Sequence, residues 1–422
     1  MSDLTECDIG AASSDLPRLS NQVQFGPTEF FAGRTMRLGK NVGTGKYFRL
    51  GEREVFLLQL LDGSRTSGDI IKEYAAHFGK RLTEQSLRSA LALFSARGLL
   101  DGQPVTSPQQ LETTAIAPVG AMPGLFSKKL LFWSPDERLT KMIPYCRWFI
   151  NGPSFALWSL LILAFEGLIL ANRTQLWQDF TALSPATWVL RGAAIMIVSS
   201  FVMTFHEFGH GLACKRYGGE VQEMGYLFRY LSFCAYTRID DILLFHKRRE
   251  RIYVLLIGPL ISLSVIPLAF ALWFYTPASS NLHIVACDVL IWYNINCLIQ
   301  LIPLLQFDGY FMLAQLLRAP DLRKDSYNYV LQWLLRGFRS RPPLAADCPA
   351  HLVRTYIFYG LFSAVFSSLA IGYILRQYGE SILHSIGLVP SLAVLCIALA
   401  AASWRIWSVT VPWIRKTYQQ SR

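Results

Sequence analysis

Apolar and polar positions divide the chain into two regions. From about residue 147, long apolar runs recur near 149–171, 188–212, 252–274, 284–306, 354–376 and 386–404, the last interrupted by Pro390. A helix of about 20 mainly apolar residues crosses a bilayer core of roughly 30 Å, so the pattern predicts about six transmembrane helices. Residues 23–105 are mixed in polarity and well punctuated. There RTMRL and KYFRL, joined by GKNVGTG, predict a β-hairpin. Three short helices follow: EREVFLLQLLDG closed by Gly63, SGDIIKEYAAHFG capped by Ser67 and stopped by Gly79, and TEQSLRSALALFSARG capped by Thr83 and ended by Gly98. Leu87, Leu91 and Phe94 share one face of the third.

A hairpin with three short helices reads as a small winged-helix domain. The expected fold class is therefore a multi-pass α-helical membrane protein with an N-terminal small α/β winged-helix domain. Its expected segments are a flexible tail (1–22), the winged-helix domain (23–105), a linker and interfacial segment (106–146), the membrane domain (147–405) and a C-terminal tail (406–422). Proline and small polar residues dominate 103–128, which reads as a tether. KKLLFWSPDERLTKMIPYCRW then mixes basic and aromatic residues, as an interfacial approach to the first span would.

Composition agrees with this division: 52% of the residues are hydrophobic, only 16% are charged, and the mean hydropathy is +0.30. The net charge of +11 is concentrated in the loops 213–251 and 307–353, which carry Lys247, Arg248, Arg249, Arg251, Arg318, Arg323, Lys324, Arg336, Arg339 and Arg341. The intervening loops are nearly free of basic residues. Such asymmetry puts the basic loops and both termini in the cytoplasm, and it accounts for the charge without nucleic acid. MSDLTECDIGAASSDLPRLSN lacks the basic start and apolar stretch of a secretory signal, in keeping with a cytoplasmic N-terminus. The eight cysteines show no CxxC pair or other zinc-ligand spacing and read as small hydrophobes in a reducing setting. Glu166 and Asp288 fall inside apolar runs, towards the outer interface, as hydrated or paired acids.

The stretch FHEFGHGLACKRYGG, residues 205–219, carries candidate chemistry at the end of an apolar run. On a helix His206 and His210 lie on one face, where two imidazoles reach one zinc ion while Glu207 stands beside the open coordination position. Zinc lowers the pKa of a bound water towards about 7, and an adjacent carboxylate accepts the proton as that water attacks an amide. A third ligand is needed. Glu220, Glu223, Asp240 and Asp241 sit in a basic loop and read as solvated charges, whereas Asp308 in QLIPLLQFDGYFML follows an apolar span beside Pro303 and Gly309. By the topology above, Asp308 emerges on the same side as the two histidines.

HEFGHGLACKRYGGEVQEMG, followed by LIGPLIS and IPLLQFDGY, resembles the site-2-protease family of intramembrane zinc metallopeptidases. The resemblance covers roughly residues 190–315. It implies zinc ligands His206, His210 and Asp308, a general base Glu207, and a break of the intervening helix at Gly258 and Pro259. Family members often place an Asn that orients the substrate eight residues before the ligand Asp. Gln300 stands there, with Asn296 one turn earlier as a substitute.

GKYFRLGEREVFLLQLLDGSRTSGDIIKEYA and ALFSARGLLDG look like PqqD-type peptide-recognition domains, which bind the leader of a precursor peptide as an added strand. Together the two resemblances imply a zinc endopeptidase of the bacterial inner membrane. Its substrate would be a leader-bearing peptide or small protein held by residues 23–105, matured beside exporter components. GGEVQEMGYLFRYLSFCAY, 218–236, is strand-like and would offer an edge for extended substrate. The rival readings are a protease that cuts a membrane-anchored signalling protein, and a non-proteolytic peptide-binding export accessory.

Overall fold

The computed structural model describes residues 16–101, 127–182, 188–229, 232–335 and 348–386. One compact unit ends at Ile357 and a second begins at Phe358. The tether up to residue 126, the C-terminal tail and, but for its first position, the sixth predicted span (386–404) lie outside the described residues.

The first unit opens with strands β1 (Val23–Phe31), β2 (Arg34–Asn41) and β3 (Lys46–Gly51), antiparallel in the order β1-β2-β3. β2 and β3 are the predicted hairpin. β1 has no counterpart in the sequence reading because Gly26 and Pro27 interrupt its alternation, and there the register with β2 shifts between Phe25 and Thr28. Helices α1 (Glu52–Leu60), α2 (Ser67–Phe78) and α3 (Glu84–Ala96) follow. Thr66, not Ser67, caps α2, accepting from Asp69 N at 3.3 Å, and Gly79 ends it at φ +64°. Thr83 caps α3 as predicted.

Next come β4 (Ser127–Trp133), α4 (Asp136–Cys146), α5 (Gly152–Ala171), α6 (Arg173–Thr181) and α7 (Trp188–Arg216). After them lie β5 (Glu223–Arg229), β6 (Ser232–Arg238) and a 3₁₀ turn at Asp240–Leu244. KKLLFW supplies β4, an edge of a second antiparallel sheet in the order β4-β5-β6. The strand-like 218–236 stretch forms the β5–β6 hairpin.

The chain continues through α8 (Arg248–Leu263), α9 (Ile266–Tyr275), α10 (Asn281–Leu301), α11 (Asp308–Leu316), α12 (Leu322–Leu335) and α13 (Ala350–Ile386), which runs into the second unit. Among the described residues five helical segments are long and apolar enough to cross a membrane: α5, residues 189–216 of α7, α8 with α9, α10, and Ala350–Ala370 of α13. They match the first five predicted spans. The third breaks at Ser264 and Val265, not at Gly258-Pro259, through which α8 stays helical. Pro259 has no N–H to return to the preceding turn, but this helix interior is packed on both sides and holds its shape.

The first sheet lies between two cores. Phe48 and Leu50 face α1–α3, packing with Leu58, Ile70, Leu87 and Phe94. The alternate positions Glu29, Leu38, Lys40, Tyr47 and Arg49 face the remainder of the unit. Lys40 donates to Asp241 at 2.8 Å and to Glu220 at 2.7 Å, and Arg49 pairs with Asp321 at 3.0 Å. Burial would lower the Lys40 ammonium, but the hydrogen bonds and charges of Asp241 and Glu220 prevail and hold it above its ordinary value. Asp240 and Asp241 are therefore not the solvated loop charges expected; both are buried, and Asp241 also accepts from Tyr47 and from Glu220 N. Nor is Arg251 a surface topology signal: its guanidinium is buried against Glu29.

Candidate metal centre

The centre is built where α7 passes α8. His206 and His210, four residues apart on α7, turn one face towards α8 and are both buried. Gly258 of α8 makes room for them, since a Cβ at that position would stand 2.3 Å from His210 Nε2 and 2.6 Å from His206 Nε2. Each ring is oriented by its other nitrogen. His210 Nδ1 donates to the carbonyl oxygen of Val254 at 2.6 Å, and His206 Nδ1 meets Ser262 Oγ at 2.9 Å. Val254, Gly258 and Ser262 follow one another at four-residue intervals, so a single stripe of α8 supplies both orienting groups and the space between them.

Asp308, the first residue of α11, closes the set. Its carboxylate oxygens stand 3.2 Å from His206 Nε2 and 3.4 Å from His210 Nε2, and the two Nε2 atoms are 3.0 Å apart. Gly309 explains how the carboxylate gets there. A Cβ on it would lie 2.2 Å from the carbonyl oxygen of Leu301, so only glycine lets α11 begin this close to the end of α10.

Tetrahedral zinc with bonds of about 2.0–2.2 Å sets neighbouring ligand atoms roughly 3.3–3.6 Å apart. The separation of the two Nε2 atoms, and that of each from one of the Asp308 oxygens, fall within a few tenths of an ångström of that. Two imidazoles whose Nδ1 atoms are already engaged, plus one carboxylate, form a donor set that suits zinc. Among the described residues these three are the group whose ligand atoms lie together in this way.

Glu207, next to His206, is partly buried, and its carbonyl oxygen accepts a 3.0 Å bond from Thr237 Oγ1, which ties α7 to β6 beside the centre. Glu220, Glu223, Asp240 and Asp241 do not join the centre. Glu223 is taken up by Lys129 and Tyr236, and Asp240 by Arg238. Gln300 and Asn296 are bonded to each other, Gln300 Nε2 to Asn296 Oδ1 at 2.8 Å, which leaves Gln300 Oε1 buried without a partner. Gln300 also reaches Met203 Sδ, one helical turn before His206. Asp288 is paired, as one of its two expected states, through a two-pronged contact with Arg191 at 2.5 and 2.7 Å.

Sequence reasoning missed Val254, Ser262 and the spatial role of Gly258; their four-residue spacing was the available signal. No protein-family model, curated protein or solved structure matches the chain.

Proposed function

We propose that this protein is a membrane-embedded zinc endopeptidase that cleaves a peptide or small protein precursor captured by its N-terminal domain. The observation that carries the reading is the convergence of His206, His210 and Asp308 beside Glu207, at the end of a long apolar helix. The five apolar helices, with Leu157, Leu163, Ile197 and Phe201 on their outer surfaces, support a bilayer as the setting. The basic loops argue for a cytoplasmic placement of both termini.

His206, His210 and Asp308 would hold a zinc ion, which would supply Lewis acidity. Glu207 would take the proton of a water whose oxygen bonds the scissile carbonyl carbon, and would deliver it to the amide nitrogen as the C–N bond breaks. Gln300, through its unpartnered carbonyl oxygen, is the candidate for orienting the substrate backbone, with Asn296 holding its amide. On the N-terminal sheet the outer edge of β1 is engaged at Phe30 by Arg318, and at Gly26 by the 3₁₀ turn. A leader peptide would therefore add to β3.

The test is Glu207→Gln in the full-length protein. Zinc should remain bound at wild-type stoichiometry by elemental mass spectrometry, cleavage should cease, and a leader-bearing peptide should co-purify. Unchanged substrate processing by this variant would remove Glu207 from the chemistry, and a co-purifying membrane-anchored regulator would replace peptide maturation with signalling.

A further inference from the structure

The N-terminal sheet does more than stand near the centre; it grips the two helices that complete it. Arg251 lies on the same stripe of α8 as Val254, Gly258 and Ser262, one turn before Val254. Its guanidinium is buried and makes four bonds to three pieces of chain: Nη1 donates to Glu29 Oε1 of β1 at 2.5 Å and to Gln315 Oε1 of α11 at 2.8 Å, and in the segment of the 3₁₀ turn Nε donates to the Phe245 carbonyl at 2.8 Å and Nη2 to the Leu243 carbonyl at 2.9 Å. Gln315 follows Asp308 by seven residues, two turns along α11 on the same face. At one end of α11 Asp308 meets the two imidazoles that Val254 and Ser262 of α8 orient, and at the other Gln315 is bonded to Arg251 of α8.

A second contact lies beside this one. Phe30 N donates to the Arg318 carbonyl at 2.7 Å, and Ala32 N to Asp325 Oδ2 at 2.6 Å, so the β1–β2 turn holds the chain just after α11. Ala32 at φ +49° and Arg318 at φ +54° are the non-glycine residues with left-handed backbones among those described, and both sit in this contact. Conformations of that kind persist where the surroundings impose them.

We propose that Glu29, Arg251 and Gln315 are positioning residues for the metal centre: the N-terminal sheet, acting through them, fixes helix α11 so that Asp308 stands at ligand distance from the two histidines. This rests on the metal reading above. It also gives the captured peptide a route to the centre, because β1 and β3 are both hydrogen-bonded to β2 and strand addition at β3 acts on the same sheet that holds Arg251.

The experiment titrates Co2+ into the full-length, metal-stripped protein in detergent and records both affinity and the visible d–d bands, which report ligand number and geometry. Glu29→Gln should weaken Co2+ binding by about 10- to 100-fold, the range for losing an outer partner of a metal ligand. It should also reduce the band intensity expected of a tetrahedral site, and Glu29→Asp should restore part of both. Gln315→Met removes the α8–α11 bond while leaving Arg251 paired, so it should produce the same change even if Glu29→Gln does not fold. Wild-type affinity and spectrum in folded Gln315→Met or Glu29→Gln protein would overturn the positioning role and leave the metal centre standing. Wild-type protein that binds no Co2+, or binds it regardless of His206→Ala and Asp308→Asn, would overturn the metal reading and this inference with it.

Discussion

At the residue scale, the centre depends on a missing side chain as much as on the ligands. Gly258→Ala puts a methyl group within 2.6 Å of both imidazole Nε2 atoms, on a helix that backs onto them. The rings must turn away from Asp308, so zinc affinity measured by competition with a chelating dye should fall at least about tenfold, while helix content by circular dichroism stays the same. Retention of wild-type affinity would mean that the rings have room elsewhere. The grouping of His206, His210 and Asp308 was legible in the sequence, because HExxH spacing and an aspartate after an apolar span each constrain chemistry locally. Gly258 was legible only as part of a Gly-Pro pair and was read as a helix break. Its contacts lie across a helix interface some fifty positions away in sequence, and its four-residue spacing from Val254 and Ser262 marks the face of α8 but not what that face meets.

At the scale of elements, the first sheet shows why alternation alone misleads. Glu29, Lys40 and Arg49 are charged strand positions that would suit a solvated face, yet they meet Arg251, Asp241 and Asp321. Ion pairs between segments two hundred or more residues apart, those of Glu29 and Lys40 buried, leave no trace in hydrophobic periodicity. The helices of the N-terminal domain were better defined, because caps and left-handed glycines act within a turn. Thr66 displaced Ser67 because its hydroxyl, one position earlier, reaches Asp69 N.

The same interface should respond to pH. Burial, aided by the charge of Asp321, pushes the Asp325 carboxyl up to about 6 from an ordinary 3.8, against the opposing bond from Ala32 N. A carboxyl raised by folding favours the folded state below its unfolded value and loses that contribution as pH rises through its folded one. Thermal unfolding of the full-length protein should therefore show wild type losing ground to Asp325→Asn between about pH 4 and pH 7. A constant difference between the two across that window would place the Asp325 titration outside folding.

At the scale of the whole molecule, the long-range arrangement was only partly readable. Five apolar helices emerged as expected, and their outward apolar side chains follow from composition. The seating of the N-terminal sheet on α8, α11 and the 3₁₀ turn did not emerge, because Arg251 had been counted with the loop charges that set topology. The basic residues around 247–251 serve two physical ends: Lys247, Arg248 and Arg249 are exposed, while Arg251 fills a buried socket of carbonyl and carboxylate oxygens.

The ligand triangle has a mechanical corollary. His210 and Asp308 are about a hundred residues apart along the chain, and a metal bridging them in the folded state alone would couple its binding to folding. Such an ion would be a rivet in the helical packing as well as a reagent. At a free zinc concentration a hundred times its dissociation constant, it should add about 2.7 kcal/mol to folding. Differential scanning fluorimetry of the wild-type protein should accordingly show the melting temperature falling on chelation and recovering with zinc, and Asp308→Asn should blunt that response. A melting curve indifferent to chelator would mean that the helices hold their spacing unaided.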